Sequence, residues 1–145
     1  MSHIRTRIRQ NIVTTLKGLS DTKSNVFDSR IYPMNMDTLP GICVYTASET
    51  SNYLSISPPR TLDKSIAVAV EIYVKMIDTY DEKLDQIAAD VEEALYTDLS
   101  RGGLAKDTMV TAFDSTFSGD VEQPVLMGKL TVQVRYSAVE GSPEG

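Results

Sequence analysis

The chain is poor in the residues that carry most site chemistry, with one histidine and one cysteine in 145 residues. Cys43 has no second cysteine for an internal disulfide. Zinc sites built from cysteine and histidine are excluded by count. The setting of Cys43, Gly41-Ile42-Cys43-Val44-Tyr45, reads as a strand, where a lone thiol behaves as a small buried core residue. His3 falls at a helix start where fraying is expected, whereas catalysis would need it held rigidly beside a nucleophile. Long apolar runs are missing too. No segment is long enough to cross a bilayer and none has the design of a signal peptide, so residence in a cytoplasm is the default expectation. Positive charge is short: 14 Lys and Arg stand against 20 Asp and Glu, a net charge of -6. A duplex-binding domain draws much of its affinity from a basic face, so direct nucleic-acid recognition is not expected. Nor does a glycine-rich turn open a helix, as a phosphate loop requires; Gly102-Gly103 follows a helix and ends it.

What is present is the pattern of an ordinary globular domain, 41% hydrophobic and 23% charged, of a length that suits one domain with a core of its own. Ile4, Ile8, Ile12 and Leu16, with Val13 beside them, make one apolar stripe on a helix over 3–17, started by Ser2 and ended by Gly18. Residues 25–32 read as a short strand, Pro33 and Pro40 bracket a connection, and 41–46 form a second strand. Residues 47–63 turn polar, with Ser48, Ser51, Ser55, Ser57 and Pro58-Pro59, and read as a long loop holding a small apolar cluster. From Ile66 to Met76 the even positions are all apolar, predicting a strand with one face on a core and the other toward water or a partner. Thr79-Tyr80-Asp81-Glu82 has the form of a capping box for a helix over 79–99, with Leu84, Ile87, Ala88, Val91, Leu95 and Leu99 on its inner face. Residues 108–117 alternate weakly through Met109, Thr111, Phe113 and Phe117; the strand 126–136 alternates sharply. The tail from about 140 is polar and reads as frayed. The order α-β-β-β-α-β-β predicts an α+β, two-layer sandwich: a mainly antiparallel sheet of about five strands with two helices packed on one face.

The charge pattern is uneven. The first helix carries Arg5, Arg7, Arg9 and Lys17 with no acid before Asp21, while the second carries Asp81, Glu82, Asp85, Asp90, Glu92, Glu93 and Asp98 against Lys83. Two readings stay open. The faces are either solvated or complementary halves of a head-to-tail contact, which closes into a ring when its rotation allows. On the second reading Arg5, Arg9, Asp85, Glu92 and Glu93 are the subunit-interface candidates. In the 47–63 segment, Tyr53, Leu54, Ile56 and Arg60 either tip a disordered hairpin or order against a partner, which makes them docking candidates. The carboxylates of the second helix lie opposite its leucines, so no catalytic, cofactor or metal site is assigned.

The N-terminal amphipathic helix, Leu39-Pro40-Gly41-Ile42-Cys43-Val44-Tyr45, the polar insertion, the long alternating strand, the helix at 79–99 and the closing Gly128-Lys129-Leu130-Thr131-Val132-Gln133-Val134-Arg135-Tyr136 together resemble the tail terminator (minor tail protein U) family of long-tailed phages. The resemblance implies a structural subunit, monomeric or weakly associated alone and hexameric on the tail, forming a ring with copies of itself. That ring would cap the head-proximal end of the tail tube, contact the tube protein and offer a docking surface to the head-tail connector protein. It also implies residence in the virion after assembly in the host cytoplasm, with no cofactor, no membrane and no reaction catalysed. The 47–63 segment is longer and richer in Ser and Pro than the family pattern, so its contacts are not carried over. Two other readings remain: another neck or tail-completion protein, and a small ligand-binding regulatory module, since a fold does not fix a function.

Overall fold

In the computed structural model the alternation at 66–76 covers the C-terminal two-thirds of a strand that pairs on both sides along nearly its whole length. The structure describes residues 3–20, 22, 25–28, 40–76, 79–119 and 124–141. Its elements are α1 (Ile4–Leu16), β1 (Val26–Phe27), β2 (Gly41–Tyr53), β3 (Thr61–Lys75), α2 (Tyr80–Tyr96), β4 (Asp107–Gly119) and β5 (Pro124–Val139). They form one sheet in the order β1-β2-β3-β5-β4, antiparallel except for β1 against β2. The connection β3–α2–β4 is therefore a crossover between parallel strands, with β5 inserted between them.

Both helices pack on one face of this sheet, as the pattern predicted. Ile4, Ile8, Ile12 and Leu16 of α1 and Leu84, Ile87, Val91 and Leu95 of α2 share a core with Ile66, Val68, Val70 and Ile72 of β3 and Leu130, Val132 and Val134 of β5. Burying each such side chain is worth about 1.5–3 kcal/mol, which is why α1 is helical despite its β-branched residues. Gly128 is the close-approach point of this layer: a Cβ there would lie 2.7 Å from a Leu84 methyl and 3.0 Å from the Phe113 ring.

The other face of β3 is buried as well. Ala67, Ala69, Glu71 and Tyr73 are shielded, although alternation predicted a solvated or partner-facing side. The alanines sit low between longer neighbours, Ala69 between Tyr45 and Thr131 in register. Cys43, Tyr73 and Val125 form a second apolar cluster with Phe27 and Met127. Beside it the Glu71 carboxylate accepts from Tyr45 Oη at 2.9 Å and Tyr73 Oη at 3.0 Å, which satisfies a buried acid.

Several local expectations are corrected. The segment 47–63 is not a long loop: β2 continues to Tyr53, β3 begins at Thr61, and only 54–60 connect them. Its Ser and Thr residues hid a strand, because pairing with Ile66, Ala67 and Ser65 supplies order that the side chains alone do not signal. The first helix is capped by His3, whose Nδ1 accepts from Arg5 N at 3.0 Å; Ser2 lies outside the described residues. Thr79 does precede α2, but with φ 53° and no side-chain capping bond, so the capping box does not form. α2 stops at Tyr96, short of Leu99. Arg101 sets that end. Its buried guanidinium donates to the carbonyl oxygens of Leu95 and Asp98, placing positive charge at the helix C-terminus. The residues that follow, Arg101, Gly102 and Gly103, all have positive φ, which the two glycines accept without cost. At the other end, Glu140 is tied to Arg60 by two backbone-involving bonds, 2.7 and 3.0 Å, so the tail is anchored at its first residue. Residues 142–145, the 29–32 part of the expected first strand, the Pro33 side of the connection and Asp120 of the expected turn lie outside the described residues.

Burial gives Cys43 a measurable signature. Desolvation first, and the Glu71 charge second, push its thiol from near 9 up to about 12. The unfolded thiol ionises near 9, so the stability this group contributes is complete below that pH and is lost as pH climbs toward 12. Urea midpoints should fall across that window, with a shallower slope in Cys43→Ala. In the native protein a thiol reagent at pH 8 should leave Cys43 unmodified until denaturant is added.

Candidate interaction surfaces

The β2–β3 hairpin ends in an apolar tip. Strand pairing runs to Tyr53 opposite Leu62. Leu54 N then donates to Thr61 O at 2.7 Å, and Thr61 N to Ser55 Oγ at 2.8 Å. Arg60 buckles the turn. Its guanidinium lies over the Tyr53 ring, 4.7 Å from the centroid, donates to Tyr53 Oη at 2.9 Å and faces Glu140 at 3.5 Å. These bonds hold Tyr53, Leu54 and Ile56 in water, Ile56 at 93% exposure. The structure thus brings together all four docking candidates. The tip is ordered before any partner arrives, where the sequence reading had ordering coincide with binding.

The charged helices behave differently from one another. Arg5 donates to Glu49 Oε2 at 3.0 Å, and Arg9 to Asp28 Oδ1 at 2.7 Å and Thr46 Oγ1 at 3.2 Å. Both cations hold α1 to its own sheet. Glu49 also accepts from the Tyr136 hydroxyl, whose ring is buried, so one carboxylate joins α1, β2 and β5. On α2 the acids stand in the open. Asp85 and Glu93 are exposed, Glu92 is half-buried, and none of the three forms an ion pair among the described residues. The five residues nominated from charge therefore fall into two groups that do not meet within the subunit.

A second apolar surface lies where α2 meets β4, and sequence reasoning missed it. Tyr96 Oη accepts from Val110 N at 2.9 Å, and Leu99 O from Thr108 Oγ1 at 2.9 Å, fixing both residues against the strand. Leu99, expected in the core, is 43% exposed because the helix ends before it. A bulge between Val110 and Ala112 then breaks the weak alternation of β4. Met109 stays opposite Gln133 on one face, and Phe113 moves opposite Leu130 on the helix face, both half-exposed. Asp85, Glu92 and Tyr96 recur at helical spacing along one flank of α2, and Leu99 follows just past its end. A long, open β4 at the sheet edge with exposed apolar side chains was the only available signal, and the bulge concealed it.

Other features carry little chemistry. A cleft of about 370 Å³ between the end of α1 and the outer side of α2 is lined by Gly18, Leu19, Asp90, Glu93 and Ala94, with acids as its only charged groups. His3 is committed to capping, and burial first and Arg5 second lower its pKa. Among the described residues no three His, Cys, Asp or Glu side chains group to hold a metal, and no helix is long and apolar enough to cross a membrane.

A family model described as phage minor tail protein U matches residues 3–136. A chain from the virion of a native gene transfer agent (GTA) particle shares the fold, with a TM-score of 0.54 and 10% identity over 93% of this chain and 98% of that one. No curated protein matches.

The inward use of the α1 cations predicts an ordering of stability losses. Glu49→Ala leaves the buried Tyr136 hydroxyl without its acceptor and should cost about 1–3 kcal/mol in urea unfolding. Arg5→Ala, which breaks a half-exposed pair, should cost about 0–1 kcal/mol. Equal losses would contradict the central role given to Glu49.

Proposed function

The chain belongs to the phage minor tail protein U family and is a structural protein of the virion tail, and from that premise we propose that copies of it close into a ring at the head-proximal end of the tail tube. The ring is a hexamer. It covers the last turn of tube protein, stops further polymerisation, and offers its free side to the head-tail connector. Its work is geometric: assembly in the host cytoplasm places a collar of fixed diameter, and no covalent step is required.

The observation that carries this reading is the rigid hairpin tip with Ile56 at 93% exposure. A preformed apolar surface in water favours association, because no ordering cost is left to meet on contact. The acids of the α2 flank, without ion-pair partners among the described residues, supply the charge that selects a partner and sets register. Magnitudes account for the difference between free and tail-bound states. Three or four large apolar side chains at about 1.5–3 kcal/mol each roughly match the cost of about 4–15 kcal/mol for bringing two subunits together. A single contact is therefore marginal. A closed ring seated on a tube makes every contact intramolecular in effect and is stable.

The test is tail length. Ile56→Asp should change unfolding free energy by no more than about 0.5 kcal/mol, since the side chain touches almost nothing. It should nonetheless yield tails with overlong tubes that fail to join heads, seen by electron microscopy. Tubes of normal, uniform length in the complete absence of the protein would refute the terminator role.

A further inference from the structure

We propose that the hairpin tip of one copy seats on the α2–β4 flank of the next, with Tyr53, Leu54 and Ile56 against Tyr96, Leu99 and Phe113. This rests on the ring reading and assigns its contact. The subunit carries two exposed apolar surfaces on different parts of the sheet: one on the β2–β3 hairpin, one where α2 borders β4 at the opposite edge. Large aromatic side chains offer roughly 150–250 Å² each when fully buried. Tyr96, Leu99 and Phe113 keep 43–46% of their surface exposed, so three residues a side form a small apolar centre, and polar surroundings make up the rest of the usual roughly 800 Å² per partner.

Symmetry selects how these surfaces combine. Between Thr50 and Leu62 the hairpin holds a single charged residue, Arg60, and Glu140 compensates it at 3.5 Å. The flank holds Asp85 and Glu92 beside its apolar residues, with no ion pair among the described residues. Tip against tip and flank against flank are both isologous and close as dimers, and flank against flank would also set acids toward acids. Only tip against flank is heterologous, the kind of pairing that propagates around a ring, and it keeps the flank acids away from their own copies. Arg5, Arg9 and Arg60 are all paired inside the subunit, and the contact needs none of them.

Desolvation favours the same contact. Leu54 N, Arg60 N and Thr61 N in the tip, and Val110 N and the Thr108 hydroxyl in the flank, already have acceptors within the subunit. Bringing the surfaces together therefore strips water from few backbone groups, with Asp85 and Glu92 left at a wet rim.

The experiment mixes two single variants of the full chain, Ile56→Cys and Leu99→Cys, on purified tail tubes with a short bis-maleimide. Buried Cys43 contributes no background. A covalent dimer in the mixture, and none from either variant alone, is the expected result. Rings visible by electron microscopy without a 56–99 adduct would overturn this contact and leave the ring reading intact. An adduct in Ile56→Cys alone, or one joining it to tube protein, would overturn it in favour of a tip-to-tip or tip-to-tube contact. Failure to see rings at all would remove the ring reading and this inference with it.

Discussion

The two-sided pairing of β3 is the constraint on which the remaining structure depends. From Thr61 to Lys75 each residue has a partner on β5, and from Leu62 to Tyr73 each also has one on β2. This continuous ladder does three things. Its even-numbered residues give both helices an apolar surface to cover. Its odd-numbered small residues let the opposite face close over Ala67 and Ala69. Its length beyond the helical layer forces β2 to follow as far as Tyr53, so a polar segment of Ser and Thr becomes a stiff hairpin with an apolar end. Without the ladder those residues have too little hydrophobic content to order themselves.

The polar contacts complete that division of labour. Cations of α1 point inward and fasten the helix to β2 through Glu49 and Thr46, with Arg9 also reaching Asp28. Arg101 points inward and finishes α2. Arg60 stays on the hairpin and stiffens its tip. The acids of α2 have no comparable task. A chain of net charge -6 thus places several basic residues in structural roles and leaves negative charge on its surface. A structural tail subunit that recognises its neighbours by shape and sign is consistent with that allocation.

The features readable from sequence were those with a strict period. Ile4, Ile8, Ile12 and Leu16, the even positions of β3 and the sharp alternation of β5 gave element type, order and the two-layer arrangement, because burial on a helix or strand face imposes those spacings directly. Features that depend on pairing or on a single buried contact were not readable. Nothing in Ser48 to Asn52 announces a strand, since the order comes from residues some fifteen positions away. The bulge at Thr111 moves Phe113 to a different face from Met109, and no local signal marks it. Leu99 looked like the last core residue until Arg101 closed the helix before it. For the surfaces, the docking residues Tyr53, Leu54, Ile56 and Arg60 stood out as apolar or charged members of a polar stretch, and they do lie together. The opposing flank was invisible because it is assembled from α2 and β4, distant in sequence. Charge alone nominated Arg5 and Arg9 for contacts between subunits, yet charge says nothing about whether a neighbouring strand already offers an acid.

A reconstruction of intact tails by electron cryomicroscopy tests the central claim most directly. The expected density is a closed collar of this protein at one end of the tube only, symmetric and with each hairpin reaching into the adjacent copy. Density for the protein spread along the tube, or a lone copy whose hairpin and α2 flank both face solvent, would contradict it.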